Sequence, residues 1–324
     1  MTDLPALPSP DEAPLAPLAD LVAEYAAASR SPATIRAYNQ GWNDFQRWCE
    51  QRHLPPLPAT PATVAAYLAD LAQRGLKVAT LTRRLAALAQ AHQLAGHPSP
   101  TRDERVRTVL KGIKRTIGTA QVAKAPATVD VLVLMLEQVP TDTMKGIRDR
   151  ALLLIGFAGA FRRSELVGLD LGDIQRVPQG LVITVRRSKT DQEGEGMIKA
   201  IPYGRNEETC PVRALDAWLA AAKLTNKSEP IFRPVDRHGN VKGTRLDDQS
   251  VALIVKHYAE KAGLDPELFA GHSLRAGLPT SAAAAGVEER DIMAQTGHRS
   301  TQMVRRYIRD GERFRNNAAG RVGL

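Results

Sequence analysis

Along most of the chain, apolar residues recur every three or four positions, which is the spacing of an amphipathic helix. The first such helix begins near Ser31, a typical N-cap, and its apolar face comprises Ile35, Tyr38, Trp42, Phe45 and Trp48. Three further helical segments follow on short connections, and each ends at or near a glycine: TPATVAAYLADLAQRG, KVATLTRRLAALAQAHQLAG and TRDERVRTVLKGIKRTIG. Four helices joined by short loops predict an all-α bundle over residues 31–117.

Beyond this bundle the pattern changes twice. Residues 118–128, GTAQVAKAPAT, show weak periodicity and contain a proline, so we expect a linker there. Apolar helices then lead to a β-rich stretch in which LVITV and MIKAIP flank the glycine-containing DQEGEG, and this arrangement predicts a hairpin. The rest of the chain returns to helical spacing. We therefore predict a mainly α (α+β) protein whose second domain, residues 129–324, is mostly helical with a small antiparallel β-sheet.

The N-terminal segment, residues 1–30, is acidic and rich in proline, which predicts a flexible arm that leads into a short helix. It lacks the basic start and apolar core of a signal peptide, and the longest apolar run, ALLLIGFAGAF, is far too short to span a membrane. The two cysteines, Cys49 and Cys210, cannot form a disulfide framework or a cysteine-rich zinc site, and we expect both to be buried. These features predict a cytoplasmic protein with no membrane partner.

Charge adds a candidate partner. The 324-residue chain has a formal net charge of +9 and a pI of about 9.7, and such chains often bind a polyanion, most often nucleic acid. An alternative is a solvated helix face with ion pairs between turns, but the fourth helix has only Asp103 and Glu104 at its start for such pairs. Positive side chains that suit a DNA backbone are Arg36, Arg47, Lys77, Arg83, Arg84, Arg102, Arg105, Arg107, Lys111, Lys114 and Arg115.

Candidate chemistry centres on GHSLRAG, residues 271–277, where His272 and Arg275 stand three positions apart. Taken alone, this heptapeptide fits a helix start with a surface arginine as well as it fits a functional site. Residues of suitable chemistry also occur elsewhere in the chain: Arg162 with Glu165 in GAFRRSELVGLDLGDI, Lys189 in RRSKTDQEGEG, His298 in TGHRS and Tyr307 in RRYIR. The resulting order is Arg, Lys, His-x-x-Arg, His and Tyr.

This series of motifs resembles the tyrosine recombinase (phage integrase) family, and the resemblance covers most of the chain. Five motifs in the family's order and spacing are far more specific than any one of them. The helical part at 31–117 is similar in layout to the core-binding, SAM-like DNA-binding domain of Cre-like members. Pro279, Phe161 and the short tail after Tyr307 depart from the family's pattern. We expect Pro279 to lie in the first turn of its helix, where proline is tolerated.

The resemblance implies that the Tyr307 phenol attacks a DNA phosphodiester and forms a covalent phosphotyrosine. Arg162 and Arg275 would clamp the two nonbridging oxygens, because guanidinium forks match that geometry and stay charged. No metal or other cofactor is implied. The other implied roles are proton transfer at His272, protonation of the leaving 5′-hydroxyl by Lys189 (with Lys199 a weaker candidate), a hydrogen bond to the phosphate from His298, and orientation of these groups by Glu165.

By the same resemblance, the protein would bind double-stranded DNA at inverted-repeat recombination sites and form a tetramer there, in a bacterial or phage-encoded, nucleoid-associated setting. Two alternatives stay open: a type IB topoisomerase-like nicking-closing enzyme, which the Cre-like N-terminal part disfavours, and a catalytically silent DNA-binding protein of the same fold. Side chains that match DNA-reading positions are Arg36, Lys77, Thr80, Arg83, Arg84, Gln249 and Ser250.

Overall fold

The computed structural model of the protein describes residues 29–120, 123–186, 196–298 and 300–311, with isolated positions at 18, 21, 25 and 322. Its chain divides into two compact units, Met1–Val122 and Ala123–Leu324, and the division falls inside the segment 118–128. The predicted arm, residues 1–30, lies almost entirely outside the described residues. None of the helices in the described ranges is long and apolar enough to cross a membrane.

The first unit contains the four predicted helices: α1 (Pro32–Glu50), α2 (Pro61–Gln73), α3 (Val78–Leu94) and α4 (Glu104–Ile117). Hydroxyl caps begin α1 and α2, since Ser31 Oγ accepts the Thr34 N–H at 3.2 Å and Thr60 Oγ1 accepts the Thr63 N–H at 3.1 Å. The apolar faces meet in one core that is rich in aromatic rings, including Trp42, Phe45, Trp48 and Tyr67.

The second unit is mostly helical, as predicted, and its helices surround a core of aliphatic side chains that includes most of the apolar run in α6. Among the residues that the structure describes between α7 and α8, three strands are present. The helices are α5 (Val129–Glu137), α6 (Met144–Ala158), α7 (Arg163–Gly168), α8 (Pro211–Ala221), α9 (Asp248–Lys261), α10 (Gly271–Ala284), α11 (Glu289–Thr296) and α12 (Thr301–Gly311).

The strands form a small antiparallel sheet in the order β1 (Ile174–Val177), β2 (Gly180–Val185) and β3 (Met197–Pro202). β2 and β3 are the predicted hairpin, and Ile183 pairs with Lys199. The pattern does not predict β1, because its sequence IQRV is short and shows no apolar alternation. Both cysteines are buried thiols, as expected.

Helix α10 corrects one expectation. It begins at Gly271, because Ser273 Oγ caps it by accepting the Ala270 N–H at 3.0 Å. Pro279 therefore lies in the helix interior, and the expected first-turn position is wrong. Since proline has no N–H, it cannot donate the usual helical bond to the Arg275 carbonyl. Gly277 lets the same helix pack closely, since a Cβ there would lie 1.9 Å from the Ala127 carbonyl oxygen.

Candidate active site

The start of α10 positions two of the predicted site residues. His272 and Arg275 are three positions apart, so they lie on one side of the helix. The turn is fixed by Ser273, whose carbonyl accepts the Ala127 N–H at 2.9 Å. Arg275 is 2% exposed, whereas His272 reaches the surface. A buried guanidinium needs partners, and neighbouring elements supply them.

A turn after α6 supplies the first partner of Arg275. Ala160 has a φ of +44°, a left-handed conformation that is uncommon for alanine. Its carbonyl accepts a hydrogen bond from Arg275 Nη1 at 2.6 Å. Two residues later, Arg162 is the N-cap of α7. This turn therefore brings together the two arginines of the predicted clamp, and the charge of Arg162 acts on Arg275.

Glu165 contacts both arginines. Its Oε2 accepts the Arg162 backbone N–H at 2.9 Å, and its Oε1 accepts a charge-assisted bond from Arg162 Nη1 at 2.5 Å. The same Oε2 lies 3.8 Å from Arg275 Nη1. Because the Glu165 side chain is only 3% exposed, these contacts are shielded from water. They support the orienting role predicted for Glu165, and they leave two guanidinium groups sharing this carboxylate.

Tyr307 lies next to His272. Its phenol oxygen is 3.0 Å from His272 Nε2, a hydrogen-bond distance. Helix α12 carries Tyr307 and is anchored by Val304, which is fully buried in a small cluster with residues of α10 and α11. The Tyr307 ring also lies 5.8 Å from the His298 ring, centroid to centroid. The phenol, the two imidazoles and the arginine pair thus share one site.

A glycine turn delivers His298 to this site. Gly297 ends α11 with a φ of +68°, and a Cβ there would also lie 2.4 Å from the Met197 sulfur. After this turn His298 Nδ1 lies 2.6 Å from Thr296 Oγ1, and its Nε2 lies 3.4 Å from Arg275 Nη2. His298 is therefore held from two sides.

Strand β3 contributes a buried amine close to the same arginines. Lys199 is 2% exposed, and its Nζ donates to the Gln295 carbonyl at 2.7 Å and lies 5.3 Å from the centre of the Phe161 ring. Gln295 is fixed in turn, because its Nε2 donates to the carbonyls of Ala158 at 2.8 Å and Ala200 at 3.0 Å. The amine of Lys199 is thus directed into the protein interior, where the Gln295 carbonyl and the Phe161 ring hold it.

Lys189, the predicted general acid, lies outside the described residues, in the segment 187–195 between β2 and β3. The end of β2 is firmly held. Arg186 Nε donates to Asp173 at 2.6 Å, and its Nη2 donates to Asp170 at 2.9 Å. Asp170 also accepts a bond from Arg245 Nη2 at 2.5 Å. This network fixes the point at which the segment that carries Lys189 leaves the sheet.

Burial and crowded positive charge lower the pKa values of the basic groups in the site. Burial first, then the charge of Arg162, lowers the pKa of Arg275 to about 10. Burial followed by the charges of Arg275 and Arg162 lowers the pKa of His298 to about 4 and also lowers that of His272. Burial, assisted by Arg275, lowers the pKa of Lys199 to about 7. Both imidazoles are therefore neutral at pH 7, and the site is suited to an anion.

Most side chains predicted to contact DNA are accessible within their own units, and one is not. Arg84 Nη1 donates to the Gln40 carbonyl at 2.6 Å, its Nη2 lies 3.8 Å from Asp44, and its side chain is only 14% exposed. Arg84 therefore joins α1 to α3, and we withdraw it from the expected DNA contacts. The exposed ones are Arg36, Lys77, Arg83 and Gln249, and the half-buried ones are Thr80 and Ser250.

Sequence reasoning overlooked two residues that shape this site. Thr296 carried a usable signal, because a hydroxyl two positions before His298 can reach the imidazole across a glycine turn. Gln295 carried none, since its contacts join α11 to β3 and to the end of α6 and exist only in the folded chain.

Two family models match the chain. The phage integrase family model matches residues 128–313, and the model of the N-terminal SAM-like domain of phage integrases matches residues 23–97. The first match alone covers more than half of the sequence, and it contains all six predicted catalytic residues.

Individual relatives agree with these matches. An integrase/recombinase xerD homolog of Selenomonas ruminantium is 44% identical over 297 residues, which cover 91% of this chain and 86% of that protein. Recombinase Cre of Escherichia phage P1 is 25% identical over 281 residues, covering 81% and 80%. The structure of XerH bound to palindromic difH substrate in a post-cleavage complex shares the fold, with a TM-score of 0.60 and 19% identity over 81% of this chain and 72% of that one. This chain therefore belongs to the phage integrase family and is a tyrosine recombinase.

Proposed function

We propose that this recombinase cleaves and rejoins DNA strands with Tyr307 as the nucleophile, in a pocket formed by Arg162, Arg275, His272 and His298. The observation that carries the proposal is the 3.0 Å separation between the Tyr307 phenol oxygen and His272 Nε2, next to the buried Arg275 and the half-buried Arg162. A phenol beside a neutral imidazole can lose its proton as it attacks, and the adjacent guanidinium groups can bind the negative charge that develops on the nonbridging phosphate oxygens.

In the proposed cleavage step, the Tyr307 oxygen forms a bond to phosphorus while the bond from phosphorus to the 5′-oxygen breaks. The phenol proton passes to His272 Nε2, and the departing 5′-oxygen takes a proton from Lys189. The products are a 3′-phosphotyrosine and a free 5′-hydroxyl. Because one phosphate ester replaces another, attack by a 5′-hydroxyl in the reverse sense rejoins the strand without a cofactor.

Arg162 and Arg275 would stabilise the transition state through the nonbridging oxygens. A preorganised hydrogen-bond donor in a site shielded from water typically lowers the activation free energy by roughly 3–4 kcal/mol. Glu165 keeps both guanidinium groups in place before the phosphate arrives, since its carboxylate contacts each of them. His298 would add a hydrogen bond to the phosphate.

The proposal extends to the substrate. The protein would bind double-stranded DNA at inverted-repeat sites and assemble there as a tetramer. It would be cytoplasmic and associated with the nucleoid. The formal charge of +9, the exposed Arg36, Lys77 and Arg83 of the first unit and the exposed Gln249 of the second support DNA as the partner. The XerH relative is bound to a palindromic substrate, which supports the inverted repeats.

Trapping the covalent intermediate tests this function. The probe is a library of nicked duplexes that carry either random sequence or the DNA flanking the gene. A nick beside the cleavage point lets the short 5′-hydroxyl fragment diffuse away, so the adduct accumulates. We expect a denaturant-stable protein–DNA adduct whose linkage lies at Tyr307 by mass spectrometry.

Tyr307→Phe is the matched control, since it removes one oxygen and should retain DNA binding while it forms no adduct. An adduct of undiminished yield with the phenylalanine variant, or none from any duplex with the wild type, refutes the proposal. Relaxation of supercoiled plasmid without sequence preference by monomers would instead indicate a type IB topoisomerase-like enzyme. Duplex binding with no adduct would indicate a catalytically silent DNA-binding protein.

A further inference from the structure

The hydroxyl of Thr296 specifies where His298 carries its proton. Thr296 Oγ1 donates to the Ile292 carbonyl at 2.8 Å, one helical turn earlier in α11. A hydroxyl has a single hydrogen, so the same oxygen can only accept from His298 Nδ1, which lies 2.6 Å away. His298 Nδ1 is therefore protonated. In a neutral imidazole this leaves Nε2 as an acceptor.

A second contact requires the same tautomer. His298 Nε2 lies 3.4 Å from Arg275 Nη2. A guanidinium has only donors, so this approach is favourable when Nε2 presents its lone pair. Thr296 is 1% exposed and His298 is 8% exposed, so water has little access to either contact. Two independent neighbours thus hold the imidazole with a proton on Nδ1 and none on Nε2.

The charges around His298 favour this neutral form. Arg275 and His272 face it from α10, Arg162 from the start of α7 and Lys199 from β3. From α12 it meets the uncharged Tyr307 ring, and the negative charge of Glu165 on α7 lies 3.8 Å from the Arg275 guanidinium. Burial first, and then the charges of Arg275 and Arg162, lower the pKa of His298 to about 4.

We propose that Thr296 is a positioning residue that keeps His298 Nε2 unprotonated in the free protein, so that His298 binds the scissile phosphate only after Nε2 takes up a proton. The inference rests on the proposed function, in which His298 donates to a phosphate oxygen. A phosphate diester offers no hydrogen to Nε2, so the neutral ring presents a lone pair to an anion. The negative charge of the phosphate favours the imidazolium, which then donates from Nε2 while Thr296 still accepts from Nδ1. Phosphate binding and uptake of one proton are thereby linked.

The first test reads the tautomer in the free protein by NMR with ¹⁵N-labelled histidine. We expect an unprotonated Nε2 and a protonated Nδ1 for His298 in the wild type and in Thr296→Ser, which keeps the hydroxyl. Thr296→Val removes the acceptor for Nδ1–H, so the Nε2–H tautomer should gain population. Thr280→Val is the matched control, because Thr280 is a buried threonine on α10 whose Oγ1 donates to the Ala276 carbonyl at 2.8 Å in the same helical geometry. A protonated Nε2 in the free wild type at neutral pH overturns the proposal.

The second test reads the linkage through single-turnover adduct formation on the trapped duplex between about pH 6 and about pH 9. Loss of one hydrogen bond should make Thr296→Val about 10-fold slower than wild type at the acidic end. The rate advantage of the wild type over Thr296→Val should shrink as the pH rises. At high pH the neutral wild-type ring has no proton on Nε2, whereas the neutral ring of the variant can carry its proton there and donate it to the phosphate. Thr296→Ser should follow the wild type. A wild-type to valine rate ratio that is constant across the pH range overturns the proposal. Complete absence of adduct in the wild type would instead overturn the proposed function, while the NMR result still decides the tautomer.

Discussion

Glu165→Gln removes one negative charge and almost no volume, so it tests whether this carboxylate holds the arginine pair together. In the wild type the two carboxylate oxygens accept bonds from Arg162 at 2.5 and 2.9 Å, and one of them lies 3.8 Å from Arg275. The side chain is 3% exposed, so water cannot replace the lost charge. Glutamine keeps one acceptor oxygen, but its amide turns hydrogens toward groups that are themselves donors.

The expected size of the effect follows from these distances. At an effective dielectric constant of about 20, opposite charges 3.8 Å apart attract by about 4 kcal/mol before desolvation is counted. Removing one partner of a buried ion pair typically costs about 3–5 kcal/mol, because the other charge remains buried and uncompensated. We therefore expect Glu165→Gln to lower the free energy of unfolding of the second unit by about 3–4 kcal/mol.

Urea titration followed by mass-spectrometric hydrogen exchange in α7 and α10 measures this loss in the second unit alone. Glu288→Gln is the matched control, since Glu288 is 75% exposed, lies 3.9 Å from Arg290 and should change stability by less than about 0.5 kcal/mol. Inorganic phosphate should restore part of the stability of the Glu165 variant by supplying the missing charge, up to about 2.7 kcal/mol at 100 times its dissociation constant. Equal urea midpoints for the Glu165 and Glu288 variants would refute the reasoning.

Two further predictions concern packing and pH. Gly277→Ala should destabilise the protein by about 1–3 kcal/mol, because the added Cβ would lie 1.9 Å from the Ala127 carbonyl oxygen. Gly112→Ala on α4 is the control. Its Cβ would have no atom within 4 Å, so it should stabilise the protein by up to about 1 kcal/mol. Thermal melting of both variants checks this, and a shift of the same sign in both would contradict it. Lys199 has a folded pKa of about 7, below the unfolded value near 10.4, so the unfolded chain binds more protons between those values. The unfolding free energy of the wild type should therefore rise relative to Lys199→Met from about pH 7 to about pH 10, and a flat difference would contradict the assignment.

The parts of the fold that follow from local pattern could be predicted from the sequence. Apolar periodicity predicts the four helices of the first unit and most helices of the second, and alternation around a glycine-containing connector predicts the β2–β3 hairpin. The six-residue α7 is too short to show helical periodicity and was not predicted. β1 was missed because a four-residue strand with two exposed polar residues is stabilised by its pairing with β2, which no local pattern reveals. The position of Pro279 was predicted wrongly because the start of its helix depends on the cap formed by Ser273. The sequence of the motif does not show that Ser273 acts as a cap.

The site shows the same division. Arg162, His272, Arg275, His298 and Tyr307 could be proposed from the sequence, because their chemistry and order are distinctive, and the structure brings all five together. Glu165 could also be proposed, and Thr296 lies close enough to His298 in the sequence to be considered. The contacts of the Ala160 carbonyl with Arg275 and of Gln295 with Lys199 could not be proposed, since they join distant segments. Arg84 shows that charge alone can mislead. Its positive charge suggested a DNA contact, but its guanidinium donates to the Gln40 carbonyl on α1.

A long contact between Arg275 and His298 indicates where a phosphate would bind in the proposed reaction. Arg275 Nη1 is bound closely by the Ala160 carbonyl at 2.6 Å, whereas its Nη2 meets His298 Nε2 only at 3.4 Å, beyond the usual range of a strong N–H hydrogen bond. A phosphate oxygen placed between those two nitrogens would replace the long contact from Arg275 to the neutral imidazole. It would accept one charge-assisted hydrogen bond from Arg275 Nη2 and, if His298 gains a proton, a second from His298 Nε2. The added negative charge would also offset the repulsion that Arg162 exerts on Arg275, as the carboxylate of Glu165 does in the free protein. In the proposed function, affinity for the phosphate and protonation of His298 would therefore share one origin, the positive charge of Arg275 and Arg162 beside the imidazole.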